Sequence, residues 1–207
     1  MIIHNLEQGS EAWKQVRVGK ITASRLSDVL ASGKAGAPSK TRQSYLYELA
    51  SEIITGQAAD SFTNAAMQHG TLCEPLARIE YEEREGLPVQ QVGFVEVNER
   101  LGCSPDGLVG ENGLLEIKCP KTSTQIQYVL DGEFPSEYKA QVQGQLWVCE
   151  REWCDFVSFD PRIEGPSQYF KIRVNRDEEY IEKLKNGVDL FITDLNKILG
   201  RLRYEKI

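Results

Sequence analysis

The chain has 207 residues, of which 41% are hydrophobic, and it carries a formal net charge of −7 at pH 7. This length and composition predict one large domain over residues 1–207, and the absence of any apolar run of about 18 residues excludes a transmembrane helix and any membrane partner. The amino terminus has no basic region followed by an apolar core, so we expect a cytoplasmic protein.

Charge and cysteine content narrow the classes of function. Residues 1–42 hold seven Lys or Arg against three Asp or Glu, whereas residues 43–207 hold 17 against 28. An acidic chain of this kind does not coat nucleic acid indiscriminately, but a basic N-terminal face suits local phosphate binding. Ordinary fluctuation explains the same counts equally well. The five cysteines form no Cys-x-x-Cys pair, which argues against a zinc site.

The N-terminal region predicts helices separated by glycines. Ser10 is a helix-capping residue followed by Glu11, and Gly19 and Gly56 are positions where helices end. The predicted elements are a helix over residues 9–18, a second helix capped by Thr22 or Ser24 and ending near Ala31, a flexible loop over 32–39, and a helix over 39–55.

The remaining elements alternate between helix and strand periodicity. Pro75 falls inside a long helical pattern and predicts a kink or a new segment there. Together the elements predict a mixed sheet of about five strands flanked by helices, an α/β or α+β fold. They are helices over 62–85, 122–130, 136–149 and 177–199, strands over 88–98, 153–159 and 168–174, and a hairpin over 101–119.

The hairpin carries the most informative side chains. A three-residue loop over 111–113, with its final glycine left-handed, pairs Asp106 with Lys118 and places both on the face of Glu116. A two-residue Asn-Gly turn would put Asp106 on the opposite face, because side chains alternate along a strand. We predict the three-residue loop.

Two carboxylates and an ammonium on one face suit phosphodiester chemistry. Carboxylates are ligands for hard cations such as Mg²⁺ or Mn²⁺, and a neighbouring lysine can hold a water or steady a phosphate. Taken alone, the spacing of Asp106, Glu116 and Lys118 is more typical of an ordinary surface hairpin than of a metal site. The motifs elsewhere in the chain decide between a metal site and a surface hairpin.

Five separated motifs, in order over about residues 7–185, resemble one family. Asp106…Glu116-x-Lys118 resembles the core of the PD-(D/E)XK nuclease superfamily. With its flanking motifs the chain resembles the phage lambda exonuclease branch, the YqaJ-like viral recombinases. The flanking motifs are Arg17-x-Gly19-x-Ile21-Thr22-Ala23-Ser24, Gly70-x-x-x-Glu74, Tyr138-x-Ala140-Gln141-Val142-Gln143…Trp147 and Asp160-Pro161-Arg162.

This resemblance implies a restriction-endonuclease-like core and a 5′→3′ exonuclease that degrades one strand of linear double-stranded DNA from 5′-phosphorylated ends. It implies two Mg²⁺ or Mn²⁺ ions per active site. Asp106 and Glu116 would bind the ions, with the carbonyl of Ile117 contributing and Glu74 in support. Lys118 would help one metal ion to activate a water, and the other would stabilise the leaving 3′-oxygen.

The resemblance also implies a pocket for the terminal 5′-phosphate, built from Arg17, Ser24, Ser104 and Gln141. An arginine beside a capped helix start is in itself a plausible phosphate site, because a bidentate guanidinium meets free backbone N–H groups. Met67 lies near the family's apolar wedge position, where a side chain meets the parting duplex.

The expected products are mononucleotides and a 3′ single-strand overhang, used in phage-type recombination by single-strand annealing. The expected partners are double-stranded DNA ends, two further copies of the chain in a toroidal homotrimer, and a single-strand annealing protein. Three alternatives remain open: an endonuclease of the same superfamily in restriction or repair, a non-catalytic DNA-end-binding protein, and a globular protein unrelated to nucleic acid.

Overall fold

The computed structural model describes residues 1–33, 39–59 and 65–202, and the side chains of the last range from residue 68 onward. Two β-sheets are flanked by helices, which confirms the predicted mixed α/β class. The strands are β1 (Ile2–His4), β2 (Ile21–Thr22), β3 (Val89–Gln90), β4 (Phe94–Asn98), β5 (Leu101–Cys103), β6 (Gly107–Val109), β7 (Gly113–Lys118), β8 (Trp153–Phe159) and β9 (Tyr169–Asn175). The helices are α1 (Glu11–Arg17), α2 (Leu26–Leu30), α3 (Lys40–Thr55), α4 (Ala65–Glu85), α5 (Thr122–Asp131), α6 (Lys139–Val148) and α7 (Glu178–Arg201).

The larger sheet has five strands in the order β3-β6-β7-β8-β9. Its central pair, β7 and β8, is parallel, and the other neighbours are antiparallel. A parallel pair needs a long crossover, and α5 and α6 fill the connection between these two strands. Strand β7 is therefore hydrogen-bonded on both edges.

The predicted register of the β6–β7 hairpin is wrong by two residues. Val109 lies opposite Gly113, so the loop comprises residues 110–112, and Gly110 rather than Gly113 has the left-handed conformation, with φ of 53°. Because side chains alternate with a period of two, this shift leaves Asp106 on the face of Glu116, directly opposite it by continuation of the register.

The predicted strand over 88–98 is two strands in different sheets. Strand β3 joins the larger sheet, while β4 joins a four-stranded sheet of order β1-β4-β5-β2 that the sequence did not predict. Gly93 lies at the break, where an added Cβ would come within 2.3 Å of the Leu6 carbonyl oxygen. The close approach of the N-terminal segment thus separates β3 from β4.

Most predicted helices form, with changes at their starts. The side chains of Ser10 and Ser39 cap α1 and α3, and Gly56 ends α3 in the left-handed conformation. The helix expected to start at Thr22 or Ser24 is instead strand β2, a single 3₁₀ turn and the five-residue α2, and Thr22 makes no capping hydrogen bond. Residues 34–38 of the predicted loop and the first residues of the predicted helix over 62–85 lie outside the described residues.

Both faces of β7 are covered. Leu114 belongs to a large hydrophobic cluster shared with α2, α3, α6 and α7, while Leu115 and Ile117 pack with Ala77 and Tyr81 of α4. The side chain of Glu116 lies on the Leu114 face, under α6. A carboxylate in the middle of a strand covered on both faces is shielded from water, so its hydrogen-bond donors must come from the protein.

Candidate active site

Glu116 is an almost fully buried carboxylate with 1% of its surface exposed. Its Oε1 accepts hydrogen bonds from Gln141 Nε2 at 2.5 Å and from Lys118 Nζ at 2.5 Å. Its Oε2 accepts a hydrogen bond from Gln145 Nε2 at 2.7 Å. Both oxygens are thus held by donors from β7 and from α6, which fixes the plane of the carboxylate.

Asp106 reaches the same strand from the residue preceding β6. Its Oδ2 accepts a hydrogen bond from the backbone N–H of Ile117 at 2.6 Å, and within the described residues its Oδ1 accepts none. Burial, followed by the charges of Glu116 and Glu74, raises the pKa of Asp106 well above its usual value. The second oxygen of Asp106 is therefore available to a cation.

Lys118 is the cation between these acids. Burial alone would lower its pKa, but the charges of Glu116 and Asp106 outweigh burial and raise the pKa above its usual value. The ring of Tyr138 lies 5.0 Å from Nζ and adds a cation–π contact. Lys118 therefore serves as a positive charge and hydrogen-bond donor rather than as a proton acceptor.

Glu74 of α4 lies close enough to interact electrostatically with this group, but its carboxylate is paired elsewhere. Its Oε1 accepts a hydrogen bond from Arg78 Nη2 at 2.6 Å. Burial and the charge of Glu116 raise the pKa of Glu74. Across the part of the chain that the structure describes, no three His, Cys, Asp or Glu side chains are arranged as a metal-binding cluster. The role of Glu74 as a third metal ligand stays a prediction.

A second group of polar side chains lies beside the carboxylates. Arg17 Nη1 and Trp13 Nε1 both donate to Ser104 Oγ, at 3.1 and 2.9 Å. The Arg17 guanidinium lies 4.0 Å from the centre of the Trp13 ring. Burial lowers the pKa of Arg17, although the charge of Glu52 acts in the opposite direction. Among the described residues the guanidinium contacts the neutral side chains of Ser104, Trp13 and Phe94. Since Ser104 Oγ already accepts two bonds, its own hydrogen remains as a donor for an anion.

The other residues predicted for the phosphate pocket are placed differently. Ser24 is exposed, and its hydroxyl lies 3.2 Å from Thr22 Oγ1. Gln141 directs its amide at Glu116, so its contact is with the carboxylates. The side chain of Met67 lies outside the described residues. The structure thus joins Arg17 to Ser104 and leaves the remaining pocket assignments as predictions.

Several contacts in the site escaped the sequence motifs. Trp13 contacts Arg17, and nothing in a single sequence marked it as a partner. Arg78 follows Glu74 by one helical turn, a spacing typical of an ion pair, although no motif includes it. Tyr138 begins one of the family motifs, but nothing in the sequence indicated its contact with Lys118. Gln145 did leave a signal, because it lies one helical turn after Gln141 on the same face of α6.

None of the described helices combines the length and apolar character needed to cross a membrane.

Residues 12–152 match the YqaJ-like viral recombinase domain family. Among solved structures, the alkaline exonuclease LHK-Exo from Laribacter hongkongensis is 40% identical, with 94% of this chain and 96% of that chain covered and a TM-score of 0.86. The same protein in complex with dAMP gives a TM-score of 0.87. A phage-related exonuclease from Haemophilus somnus, 21% identical with a TM-score of 0.68, shares the fold.

Two curated relatives are more distant. An uncharacterised protein of Acanthamoeba polyphaga mimivirus is 29% identical over 171 residues, and the match covers 75% of this chain but only 29% of the viral protein. The putative uncharacterised protein ExoD of Escherichia coli is 28% identical over 69 residues, covering 33% of this chain and 78% of ExoD. Because the family match extends over more than half of its residues, the chain belongs to the YqaJ-like viral recombinase family.

Proposed function

We propose that this protein is a metal-dependent exonuclease that degrades one strand of linear double-stranded DNA in the 5′→3′ direction, starting at a 5′-phosphate. The observation that carries the proposal is the convergence of Asp106, Glu116 and Lys118 at the end of β7. It occurs in a chain that is 40% identical to an alkaline exonuclease over 94% of its length. That relative has been solved with dAMP, a nucleoside monophosphate, which is the class of product expected here.

The donor set fits a hard divalent cation. Asp106, Glu116 and Glu74 repel one another electrostatically, and one oxygen of Asp106 accepts no hydrogen bond among the described residues. Bringing positive charge among these acids would relieve the repulsion. Asp106 and Glu116 would hold Mg²⁺ or Mn²⁺ as two ions, with the carbonyl of Ile117 and Glu74 in support. Bound ions of this kind polarise a phosphodiester and make water a better nucleophile.

The protein's own side chains would orient the DNA around this group. Lys118, held by Glu116, would place a positive charge beside the scissile phosphate and stabilise the negative charge that develops there. Arg17 and Ser104 would receive the terminal 5′-phosphate, because a guanidinium adjoins a hydroxyl there and forms no ion pair with an acid of the described residues. Ser104 is two residues from Asp106, so end recognition and cleavage would take place next to each other.

The proposal extends to the biological setting by family membership. The protein would act in the cytoplasm of a bacterial host, as a toroidal homotrimer that admits duplex and releases single strand, beside a single-strand annealing protein. A homotrimer predicts a mass near three times 23.4 kDa in light scattering. A monomer would remove the toroid from the proposal and leave the chemistry of the site untouched.

A strand-specific degradation assay tests the chemistry. A blunt linear duplex with a 5′-phosphate on one strand and a 5′-hydroxyl on the other is labelled at the 3′ end of each strand in turn. In Mg²⁺ the phosphorylated strand should shorten from its 5′ end to mononucleotides, and EDTA should stop the reaction. The Glu116→Gln variant, which keeps the side-chain volume, should bind the duplex without degrading it.

Two outcomes would replace the proposal. Cleavage of a covalently closed circle would identify an endonuclease, since an exonuclease needs an end. Tight binding to duplex ends without degradation in Mg²⁺ or Mn²⁺ would identify a non-catalytic end-binding protein.

A further inference from the structure

Helix α6 carries three glutamines, Gln141, Gln143 and Gln145, and the last two are each only 1% exposed. Two buried amides in one short helix are costly unless each finds partners for both its carbonyl and its NH₂ group. Gln143 and Gln145 meet this requirement to different extents. The difference distinguishes a structural glutamine from one that acts in the site.

Gln143 is satisfied on both sides by backbone groups. Its Nε2 donates to the carbonyl of Asn175 at 2.8 Å, and its Oε1 accepts from the N–H of Asp177 at 2.9 Å. These bonds attach the start of α7 to α6. Gln143 is thus a purely structural glutamine, and it provides a control of the same residue type, burial and helix.

Gln145 is satisfied on one side only. Its Nε2 donates to Glu116 Oε2 at 2.7 Å, while its Oε1 is buried and has no hydrogen-bond partner among residues 1–33, 39–59 and 65–202. The opposite orientation of the amide would turn its carbonyl toward the carboxylate, which repels it. The contact with Glu116 therefore sets the orientation of the Gln145 amide, although this orientation leaves its buried carbonyl oxygen without a hydrogen bond among the described residues.

Glu116 shows why this contact matters. Lys118 and Gln141 both bind Oε1, so Gln145 is the hydrogen-bond donor to Oε2 among the described residues. Without it, the carboxylate is held at one oxygen and can rotate about that anchor. A ligand that rotates loses the fixed geometry that a metal ion requires.

We propose that Gln145 is a positioning residue for the metal centre, which holds Glu116 Oε2 so that the carboxylate keeps the orientation for binding a divalent cation. This inference rests on the proposed function. It assigns to Gln145 an indirect role, because Gln145 acts through Glu116 and does not touch the DNA.

The test replaces Gln145 with methionine, which has similar volume and no N–H donor, and compares it with Gln143→Met. Mn²⁺ alone is titrated into each folded protein by calorimetry. Gln145→Met should weaken Mn²⁺ binding about tenfold, in the range seen when groups that orient metal ligands are removed. Gln143→Met should lower the melting temperature and leave Mn²⁺ affinity at the wild-type value. In degradation assays, Gln145→Met should raise the Mg²⁺ concentration for half-maximal rate and leave KM for DNA unchanged.

A measurement on the wild-type protein covers the case in which Gln145→Met fails to fold. The side-chain amide resonances of Gln145 and Gln143 are followed by NMR during addition of Mg²⁺. The Gln145 signal should shift, and the Gln143 signal should not. Equal Mn²⁺ affinity for Gln145→Met and wild type, or no shift at Gln145 while Mg²⁺ binds, would overturn the inference alone. Failure of the wild type to bind Mn²⁺ would overturn the proposed function together with it.

Discussion

The ammonium of Lys118 lies 2.5 Å from Glu116 Oε1 and faces the ring of Tyr138. The charges of Glu116 and Asp106 raise the pKa of this ammonium, which keeps it charged across the neutral range. The site therefore carries one fixed positive charge, which under the proposed function would lie beside the phosphate. A metal ion would relieve the mutual repulsion that helps to raise the pKa of Asp106 and Glu74.

Replacing Lys118 with methionine should remove this charge while largely preserving the side-chain volume. We expect the rate of strand degradation to fall by at least about 10²-fold, the size of effect typical of a positioned group in the reaction. DNA binding should change little, because Gln141 and Gln145 still hold Glu116. The melting temperature should fall, because the buried carboxylate of Glu116 loses its paired cation. Lys121→Met is the matched control: this lysine is exposed three residues later, and its variant should degrade DNA normally.

Under the proposed function, we expect Arg17 to determine which DNA end is degraded. Arg17→Ala should reduce the rate on 5′-phosphorylated duplex by about 10- to 100-fold, the value of a hydrogen bond to a charged group. The rate on 5′-hydroxyl duplex should change far less, so the preference between the two ends disappears. Lys14→Ala removes the same charge from the same helix and should keep the preference. A wild-type protein that degrades both ends equally would contradict the assignment of the pocket.

The hairpin shows how far sequence patterns define an element. The alternation of side chains in β7 and the three-residue length of the loop were predictable, and both are correct. The position of the loop was not, because two glycines, Gly110 and Gly113, compete for the left-handed position. Gly113 is required for a different reason, since an added Cβ would lie 2.2 Å from Trp153 Cη2. That contact comes from β8, 40 residues later, and local pattern cannot reveal it.

This difference between the glycines can be measured. Gly113→Ala should destabilise the fold by about 1–3 kcal/mol through overpacking against Trp153. Gly110→Ala should cost about 1–2 kcal/mol through its left-handed backbone, since no atom of the described residues lies within 4 Å of the added Cβ. Adding Trp153→Leu should relieve the Gly113→Ala defect and leave the Gly110→Ala defect unchanged, as judged by urea unfolding of the single and double variants. Additive effects for both pairs would refute the overpacking account.

The smaller sheet marks the limit of sequence reasoning. Strand β1 pairs with β4, and the two-residue β2 lies parallel to β5. Neither segment has the length or alternation that predicts a strand. Each becomes a strand because a distant partner offers backbone hydrogen bonds. Such long-range pairings override the conformational preference of the local sequence, and a single sequence does not show them.

Some of the side chains that the sequence grouped together lie together in the structure, whereas their contacts were not predictable. Motif order brought Asp106, Glu116 and Lys118 together correctly, and it linked Arg17 with Ser104. It could not show that Gln141 binds Glu116, because a motif specifies residue types and not the rotamer that packing selects.

At the level of the whole molecule, Asp160 contributes stability at neutral pH that acid removes. Its fully buried carboxylate binds Arg162 and the hydroxyl of Thr122, joining the end of β8 to the start of α5. Burial would raise the pKa of Asp160, but the hydrogen bonds from Arg162 and Thr122 outweigh burial and lower the pKa to about 2. A lowered folded pKa gives stability that is present above the unfolded value, near 3.8, and is lost as pH falls toward 2.

Asp160→Asn should therefore reduce the free energy of unfolding at pH 7 by about 1–2 kcal/mol, after allowance for the solvent exposure of Arg162. Between pH 4 and 2, where the wild type loses this contribution, the variant and wild type should converge. Urea unfolding across this pH range gives the comparison. A constant difference between the two proteins down to pH 2 would show that Asp160 acts through packing and not through its charge.

Strand β7 is hydrogen-bonded to a neighbour on each edge, and this has a consequence for synthesis of the protein. The ribosome releases Asp106, Glu116 and Lys118 together, but Gln141 and Gln145 follow later, and the strand that closes the second edge of β7 starts 35 residues after Lys118. Until then the nascent chain presents an open strand edge, which is a template for pairing with other chains. Premature termination between Lys118 and Trp153 would therefore yield an aggregating fragment and not a slow nuclease.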